Sequence, residues 1–414
     1  MQLKDFVRLS LIAALILPLA IFVGIHSLSS VKMLSSSREA LQIYPLNGLA
    51  QASVAFDRFF EIVGQRTEAL RSSSPAIPGA IDTVQLMDVL GDAALATASD
   101  ARRAYQLEPL SPKAHVILAL TEEDLRARNE IIESASRLNK RQLALQGLLL
   151  DKNIAEGSYA KSIETIDQIL RAHPEVSERF FPLLVQVLSV DDTIPLFSEL
   201  FARPLPWRQP FLNFALKDDR VLINLAELRR GVVLDNEGFD RRLIGRLVDR
   251  GDLSKAAQVY ELIRPAARIR GHSGRLDWNS DYPPLDWKLA SGRGLNAYVL
   301  DDGRALALSV SPGRGGVIAS RVIFPQVSRF SVRVDHDLDL SDRLGNLRLE
   351  VRCTGAASPF FVSAIERVGR EFAVDASYQS CDAYEIALSA RAWTGSTPLR
   401  GSISSVWIEP ISGV

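Results

Sequence analysis

The spacing of apolar residues changes near residue 270, and this change limits the fold more than any other feature of the sequence. Over residues 36–270, apolar side chains recur at intervals of three and four, as in Ile163, Ile166 and Ile169, which is typical of amphipathic helices. From residue 271 onward, short alternating runs such as RALALSV and NLRLEVRC lie between turns rich in glycine, serine and proline. That pattern is typical of antiparallel β-structure. The sequence therefore predicts a helical domain followed by a β-sandwich, each with its own core.

An apolar run near the N-terminus, residues 9–25, is interrupted by one serine and preceded by Lys4 and Arg8. An apolar helix of about 17–25 residues crosses a bilayer, whereas the apolar core of a signal peptide has roughly 7–15 residues. We therefore expect an uncleaved anchor. A cleaved signal peptide is the alternative, because Ser27 and Ser29 offer a weak cleavage site. The basic residues before the run predict a cytoplasmic N-terminus, with the rest of the chain on the other side of the membrane.

The charge balance argues against a nucleic-acid-binding protein. Lysine and arginine total 48 and aspartate and glutamate 49, for a formal net charge of −1, and the basic residues are spread along the chain. Five histidines and two cysteines leave little material for a transition-metal centre. The sequence contains no Walker-type phosphate loop, GxSxG, HExxH or CxxC motif. We therefore expect a protein without cofactor or catalytic residues.

The two cysteines, Cys353 and Cys381, both lie in the β-rich part. An even number of cysteines in an exported chain predicts a disulfide. Two buried free thiols are the alternative, because unpaired cysteine often serves as a small core residue.

Two stretches of the helical part share one pattern. EGSYAKSIETIDQILRAHPE places Gly157 two residues before Tyr159 and ends near a proline, and RGDLSKAAQVYELI places Gly251 before the helix that carries Tyr260. Glycine permits a tight turn and proline ends a helix. The pattern resembles the second helix of a tetratricopeptide repeat (TPR), although the copies are unevenly spaced. The resemblance implies a degenerate α-solenoid over residues 31–270, which would bind protein partners.

Two aromatic residues at the start of the β-rich part are candidate glycan contacts. Trp278 and Tyr282 lie in RLDWNSDYPPLDWKLA, among aspartate and asparagine side chains. Aromatic faces beside fixed polar groups are a common arrangement in small-molecule sites. The alternative is that both rings cover the core of the sandwich.

A row of carboxylates in VRVDHDLDLSDRL is a weak candidate for Ca²⁺. In an extended strand, Asp335, Asp337 and Asp339 lie on one face, with His336 and Leu338 on the other. Calcium takes six to eight oxygen ligands, which such a face could begin to supply. A solvated strand face produces the same pattern, so this alternative stays open.

Residues 280–410 as a whole resemble the jelly-roll, carbohydrate-binding-module-like domains that follow TPR arrays in some bacterial envelope proteins. The resemblance rests on WKL, a cysteine at a strand end, a second cysteine before YEIAL, and the closing GSISSVWIEP. Such proteins are often linked to exopolysaccharide production. The resemblance implies a single-pass inner-membrane protein whose bulk is periplasmic, acting as a scaffold or adaptor in polysaccharide assembly or export.

These expectations give three domains: a head and transmembrane anchor (1–30), a TPR-like solenoid (31–270) and a jelly-roll-like β-sandwich (271–414). Two other functions remain open. A glycan-modifying enzyme would need a carboxylate pair, for which Asp281 and Asp335 are the candidates. In a general envelope scaffold, the sandwich would instead be a structural cap or a dimer interface.

Overall fold

The computed structural model of the chain describes residues 3–73, 83–234, 236–265, 269, 271, 273–300, 303–325, 327–340, 345–366 and 368–411. The chain divides into two compact units, Met1–Phe180 and Phe181–Val414.

Helices make up the first two thirds of the chain. In order they are α1 Leu3–Met33, α2 Ser37–Ile43, α3 Gly48–Ser73, α4 Thr83–Leu107, α5 Pro112–Thr121, α6 Leu125–Leu138, α7 Leu143–Ala155, α8 Tyr159–Ala172, α9 Ser177–Leu188, α10 Ile194–Phe201, α11 Arg208–Ala215, α12 Leu222–Gly231, α13 Glu237–Arg250 and α14 Leu253–Ile263. Short 3₁₀ turns, Pro174–Val176, Asp191–Thr193 and Asp219–Val221, precede α9, α10 and α12.

The two turns predicted at Gly157 and Gly251 are confirmed, and each lies between two helices. Gly157 lies between α7 and α8 with φ +66°, and Gly251 ends α13 with φ +88°. Both angles lie in the left-handed region, which glycine enters without the steric cost that a Cβ imposes. Ala172 ends α8 two residues before Pro174, which cannot extend a helix. The glycines and the proline therefore mark the turn positions and the end of α8 as the sequence predicted.

The unit Met1–Phe180 has its core among α3 to α7. The core includes Phe59, Ile117, Ile132 and Leu145, all of them buried. Fully buried alanines on α3 and α4, among them Ala55, let these two helices approach closely. Apolar faces at helical spacing thus find their burial in neighbouring helices.

Helix α1 includes an apolar stretch, Ile16–Met33, that is long enough to cross a membrane, a property that a signal sequence shares. Its last turns are part of the fold of the unit Met1–Phe180. Ser29 is fully buried: its Oγ donates to the carbonyl of Ala40 at 2.9 Å and accepts from Nδ2 of Asn47 at 2.9 Å. The ring of Tyr44 lies edge-on to that of Phe22, with centroids 5.9 Å apart.

The second unit ends in two antiparallel sheets. The strands are β1 Gly274–Arg275, β2 Lys288–Leu289, β3 Ser291–Gly292, β4 Leu295–Val299, β5 Leu306–Val310, β6 Gly315–Ile323, β7 Arg329–His336, β8 Gly345–Cys353, β9 Phe361–Ala364, β10 Glu371–Asp375, β11 Tyr384–Ala392 and β12 Leu399–Pro410. One sheet has the order β10-β7-β12-β5-β4-β3, with β1 paired to β12, and the other has the order β2-β6-β11-β8-β9.

Alternation along the strands builds one core from both sheets. Strand β10 alternates exposed and buried residues throughout, as expected for a strand with one face in a core. Inward residues of the first sheet, such as Phe330 and Val406, join Leu349 and Ile386 of the second in a single buried cluster. Antiparallel sheets are therefore present where the sequence predicts them.

The change from helix to strand falls between Ile263 and Gly274, close to the predicted position. The compact units divide elsewhere, inside α9, so α10 to α14 belong to the same unit as the sheets. The buried cluster of the sheets consists of residues between Leu276 and Ile408. Tyr260 of α14 is also fully buried and is bonded to Asp286, which lies just before β2, so α14 and the β part are in contact.

A disulfide joins Cys353, at the end of β8, to Cys381, before β11, with their Cα atoms 5.7 Å apart. It links neighbouring strands, because β8 and β11 pair along their whole lengths. The predicted disulfide is confirmed.

Candidate functional site

The outer face of the five-stranded sheet carries a polar groove of about 390 Å³, which we call the sheet groove. It crosses β6, β11 and β8. Its polar side chains are Asn346, Arg348, Glu350, Ser389 and Arg391. Because side chains alternate along a strand, these residues face outward while their neighbours fill the core.

Glycines form part of the groove wall. A Cβ added at Gly315 would stand 2.8 Å from Cγ of Arg391, so any larger residue would displace that arginine. Across the groove, β11 shifts its register against β6 between Leu388 and Ser389. Such a bulge redirects the side chains that follow it. The groove is therefore open at β6 and lined with polar groups on β8 and β11.

The groove has more positive than negative charge available for a ligand. The guanidinium of Arg391 lies 5.1 Å from the ring centre of Trp393, a cation–π contact. Glu350 is already paired, since Nη2 of Arg352 lies 3.3 Å from its Oε2. Among the described residues, no carboxylate forms an ion pair with Arg348 or Arg391. Both arginines are thus exposed and, within the described part of the chain, have no carboxylate partner.

A second polar cluster is buried between α14 and the β part. Asp286 is fully buried; its Oδ1 accepts from the hydroxyl of Tyr260 at 2.6 Å and its Oδ2 from the backbone N–H of Tyr282 at 3.0 Å. Burial, reinforced by the bond to Asp286, raises the pKa of Tyr260 well above its usual range. The hydroxyl therefore remains a donor at physiological pH, and the carboxylate has a partner on each oxygen.

Arg321 extends this buried cluster into the second sheet. Its Nη1 donates to the carbonyl of Asp277 at 3.0 Å, and Nε1 of Trp287 donates to the same carbonyl at 3.1 Å. Burial lowers the pKa of Arg321, while Tyr260 and Asp286 act in the opposite direction. Each member of the cluster forms hydrogen bonds to other residues of the same unit, which indicates a structural role.

The two predicted glycan contacts are buried. Trp278 is 3% exposed and its ring centre lies 4.8 Å from that of Trp287, with the two rings tilted against each other. Tyr282 is 5% exposed and its ring centre lies 5.5 Å from the guanidinium of Arg264. Neither ring offers a face to a sugar in this arrangement, because both cover the core and the α14 contact. We therefore withdraw them as glycan contacts.

Two of the three aspartates of the calcium candidate form hydrogen bonds within the fold, and the third is exposed. Oδ2 of Asp335 accepts from the hydroxyl of Ser405 at 2.6 Å, and Asp337 accepts from the hydroxyl of Ser402 at 3.0 Å. Asp339 is exposed. In the described parts of the chain, no group of three or more acidic, histidine or cysteine side chains is arranged to hold a metal ion. The carboxylates fasten β7 and the segment after it to β12, so we withdraw the calcium site as well.

The carboxylates suggested for a hydrolase also have structural partners. Asp281 forms an ion pair with Arg264, and its backbone carbonyl accepts from Nε of Arg241 at 2.5 Å. Asp335 bonds Ser405, as described above. These contacts fasten α13 and α14 to the β part.

The unit Met1–Phe180 has a groove of its own, of about 420 Å³, between α6, α7 and α8, which we call the helix groove. Arg137, Lys140 and Lys161 bring positive charge to it, beside the carboxylates of Glu133 and Glu164. Glu133 bonds Lys152 at 2.8 Å, and this hydrogen bond lowers the pKa of Glu133. A polar groove of mixed charge suits a peptide or protein surface.

Sequence reasoning missed the sheet groove. The signal was present in NLRLEVRC, whose outward positions hold Asn346, Arg348 and Glu350. The sequence does not show that β11 lies beside this strand, so the meeting of Arg348 with Arg391 could not be predicted.

No protein-family model matches the chain, and no curated protein matches it significantly. Among solved structures, it is similar to the carbohydrate-binding module TmCBM61 in complex with β-1,4-galactotriose, at TM-score 0.23 and 10% identity over 33% of this chain and 99% of that one. It is also similar to the glycosylation-associated Gap123 complex of Streptococcus agalactiae, at TM-score 0.24 and 13% identity over 34% of this chain and 45% of that one. The human IFIT1 dimer matches at TM-score 0.25 and 17% identity, over 59% of this chain and 63% of that one. At such low scores the likenesses carry no argument about function.

Proposed function

We propose that the protein is a membrane-anchored, non-catalytic adaptor of a bacterial envelope. Its bulk lies in the periplasm, where it holds an acidic polysaccharide in the sheet groove and a protein partner in the helix groove. The architecture we propose is a TPR-like α-solenoid followed by a jelly-roll-like sandwich. In this role the protein serves the assembly or export of the polymer without altering it.

The sheet groove carries this proposal. Arg348 and Arg391 present guanidinium groups whose planar donors suit carboxylates and sugar hydroxyls. Trp393 adds an aromatic ring beside Arg391, and aromatic rings can stack on the C–H faces of sugars. A volume of about 390 Å³ lies within the usual range for small-ligand sites.

The packing of α1 supports a retained anchor. Cleavage after Ser29 would separate Ser29 from Ala40 and Asn47, with which its hydroxyl makes buried hydrogen bonds. These bonds stabilise the fold only if the N-terminal helix stays attached. We therefore infer that the segment over residues 9–25 stays attached and spans the membrane once.

Replacing both Arg348 and Arg391 with alanine should weaken binding of an acidic polysaccharide such as alginate by about tenfold or more. Each charge-assisted hydrogen bond is worth roughly 1.5–3 kcal/mol when it is well formed, and about 1.4 kcal/mol corresponds to tenfold in affinity. Affinity gel electrophoresis of the purified protein, with alginate in the gel, measures the change.

Arg370→Ala provides the matched control, because Arg370 is an exposed arginine of the same unit outside the groove. It should migrate as the unaltered protein does. Undiminished retention of the double variant would refute the groove as the binding site, and equal retention by a neutral polymer such as dextran would refute the preference for acidic chains.

A further inference from the structure

The folded part of the unit Met1–Phe180 is fastened to α1 at a level within the membrane anchor. Tyr44, which follows α2, lies 5.9 Å from the ring of Phe22 and 5.6 Å from that of His26. Phe22 and His26 both lie within the apolar stretch Ile16–Met33 of α1. The turn between α2 and α3 therefore stands beside the apolar part of the anchor.

This turn has a close neighbour, the turn between α4 and α5. Gly48 begins α3 so near to Glu108 that a Cβ would stand 2.6 Å from the Cβ of Glu108. The close approach brings Leu107 into one groove with Leu46 and Leu49. Phe22 and Val23 of the anchor line the same groove, whose volume is about 530 Å³. Two turns of the folded unit thus flank the emerging anchor.

Apolar side chains at this place are exposed. Leu46 is 54% exposed and Leu49 44% exposed. Beyond the groove, Leu110 in the same α4–α5 turn is also exposed. Leucines that face outward beside a transmembrane segment gain from burial in lipid, and a tyrosine such as Tyr44 is favoured where acyl chains meet headgroups.

We propose that this face, formed by Tyr44–Leu49 and the α4–α5 turn at Leu107, rests in the membrane interface with Leu46 and Leu49 in contact with lipid. The proposal builds on the retained anchor. The lipid bilayer is its occupant because the face is continuous with a segment that lies in the bilayer already. The folded unit is then held against the membrane rather than suspended from a flexible stalk.

The test uses the full chain in vesicles of phosphatidylcholine and phosphatidylglycerol. Leu46→Cys introduces a thiol for the fluorophore NBD, since both native cysteines are in the disulfide. Leu138→Cys is the control, at a leucine of the same unit that is 65% exposed and at the end of α6. Replacing the lipid with brominated phosphatidylcholine should quench NBD at residue 46 by about half and leave NBD at residue 138 unchanged.

The other outcomes overturn the proposal in distinguishable ways. Quenching of residue 46 by aqueous iodide, and not by brominated lipid, would mean that the face is free in water. Quenching by neither would mean that a second copy or another protein covers it. Intact mass measured on the same sample separates these results from a failed anchor, because loss of the N-terminal helix would refute the retained anchor itself.

Discussion

Replacing Asp286 with alanine should lower the free energy of unfolding of the unit Phe181–Val414 by about 3–5 kcal/mol. The change leaves the hydroxyl of Tyr260 and the N–H of Tyr282 buried without an acceptor, and each such loss costs roughly 1–3 kcal/mol. All five tryptophans of the chain lie in this unit, so tryptophan fluorescence during urea unfolding reports on it alone.

Tyr260→Phe is the matched variant for this prediction. It removes the hydroxyl and keeps the ring, and it should cost about 1.5–3 kcal/mol because the lost bond was made to a buried carboxylate. Combined with Asp286→Ala it should cost clearly less than the sum, since both changes break the same bond. Additive effects, or a cost below about 1 kcal/mol for Asp286→Ala, would show that the cluster does not hold α14 to the sheets.

Removing the disulfide should cost the same unit about 3–4 kcal/mol. Cys353 and Cys381 are 28 residues apart, and closing a loop of that length restricts the unfolded chain to about this extent in the chain-entropy model. The double variant Cys353→Ser, Cys381→Ser should unfold at a lower urea concentration than the oxidised protein.

Reductant serves as the internal control for the disulfide. Dithiothreitol should shift the unaltered protein to the midpoint of the double variant and leave the variant itself unchanged. A variant that is as stable as the oxidised protein would mean that pairing between β8 and β11 alone fixes these strands.

Local signals in the sequence predicted local structure well. Gly157 and Gly251 predicted the positions of two turns because a left-handed backbone angle is a property of one residue. Alternating runs predicted strands, and one pair of cysteines left one possible disulfide within the chain.

Features that depend on tertiary neighbours were not predictable in this way. Trp278 and Tyr282 sit among polar residues in the sequence, as a surface site would, yet both rings are buried. Aspartate is usually a surface residue, yet Asp286 is buried and joins α14 to the β part through its hydrogen bond with Tyr260. Which strands are neighbours decides these outcomes, and the sequence of one strand does not contain that information.

The same limit applies to the sheet groove. Alternation in β8 places Arg348 on the outer face, but its meeting with Arg391 follows from the order β6-β11-β8 and from the bulge at Ser389. The groove could be found only after the sheet was assembled.

The most direct test of the adaptor proposal is to incubate the full-length protein with alginate, recover the bound polymer and measure its chain length by size-exclusion chromatography with light scattering. The proposal predicts that the protein retains the polymer and that the chain length does not change with time. Failure to retain acidic polymer would contradict the sheet groove as a glycan site, and progressive shortening of the recovered chains would show a glycan-modifying enzyme instead.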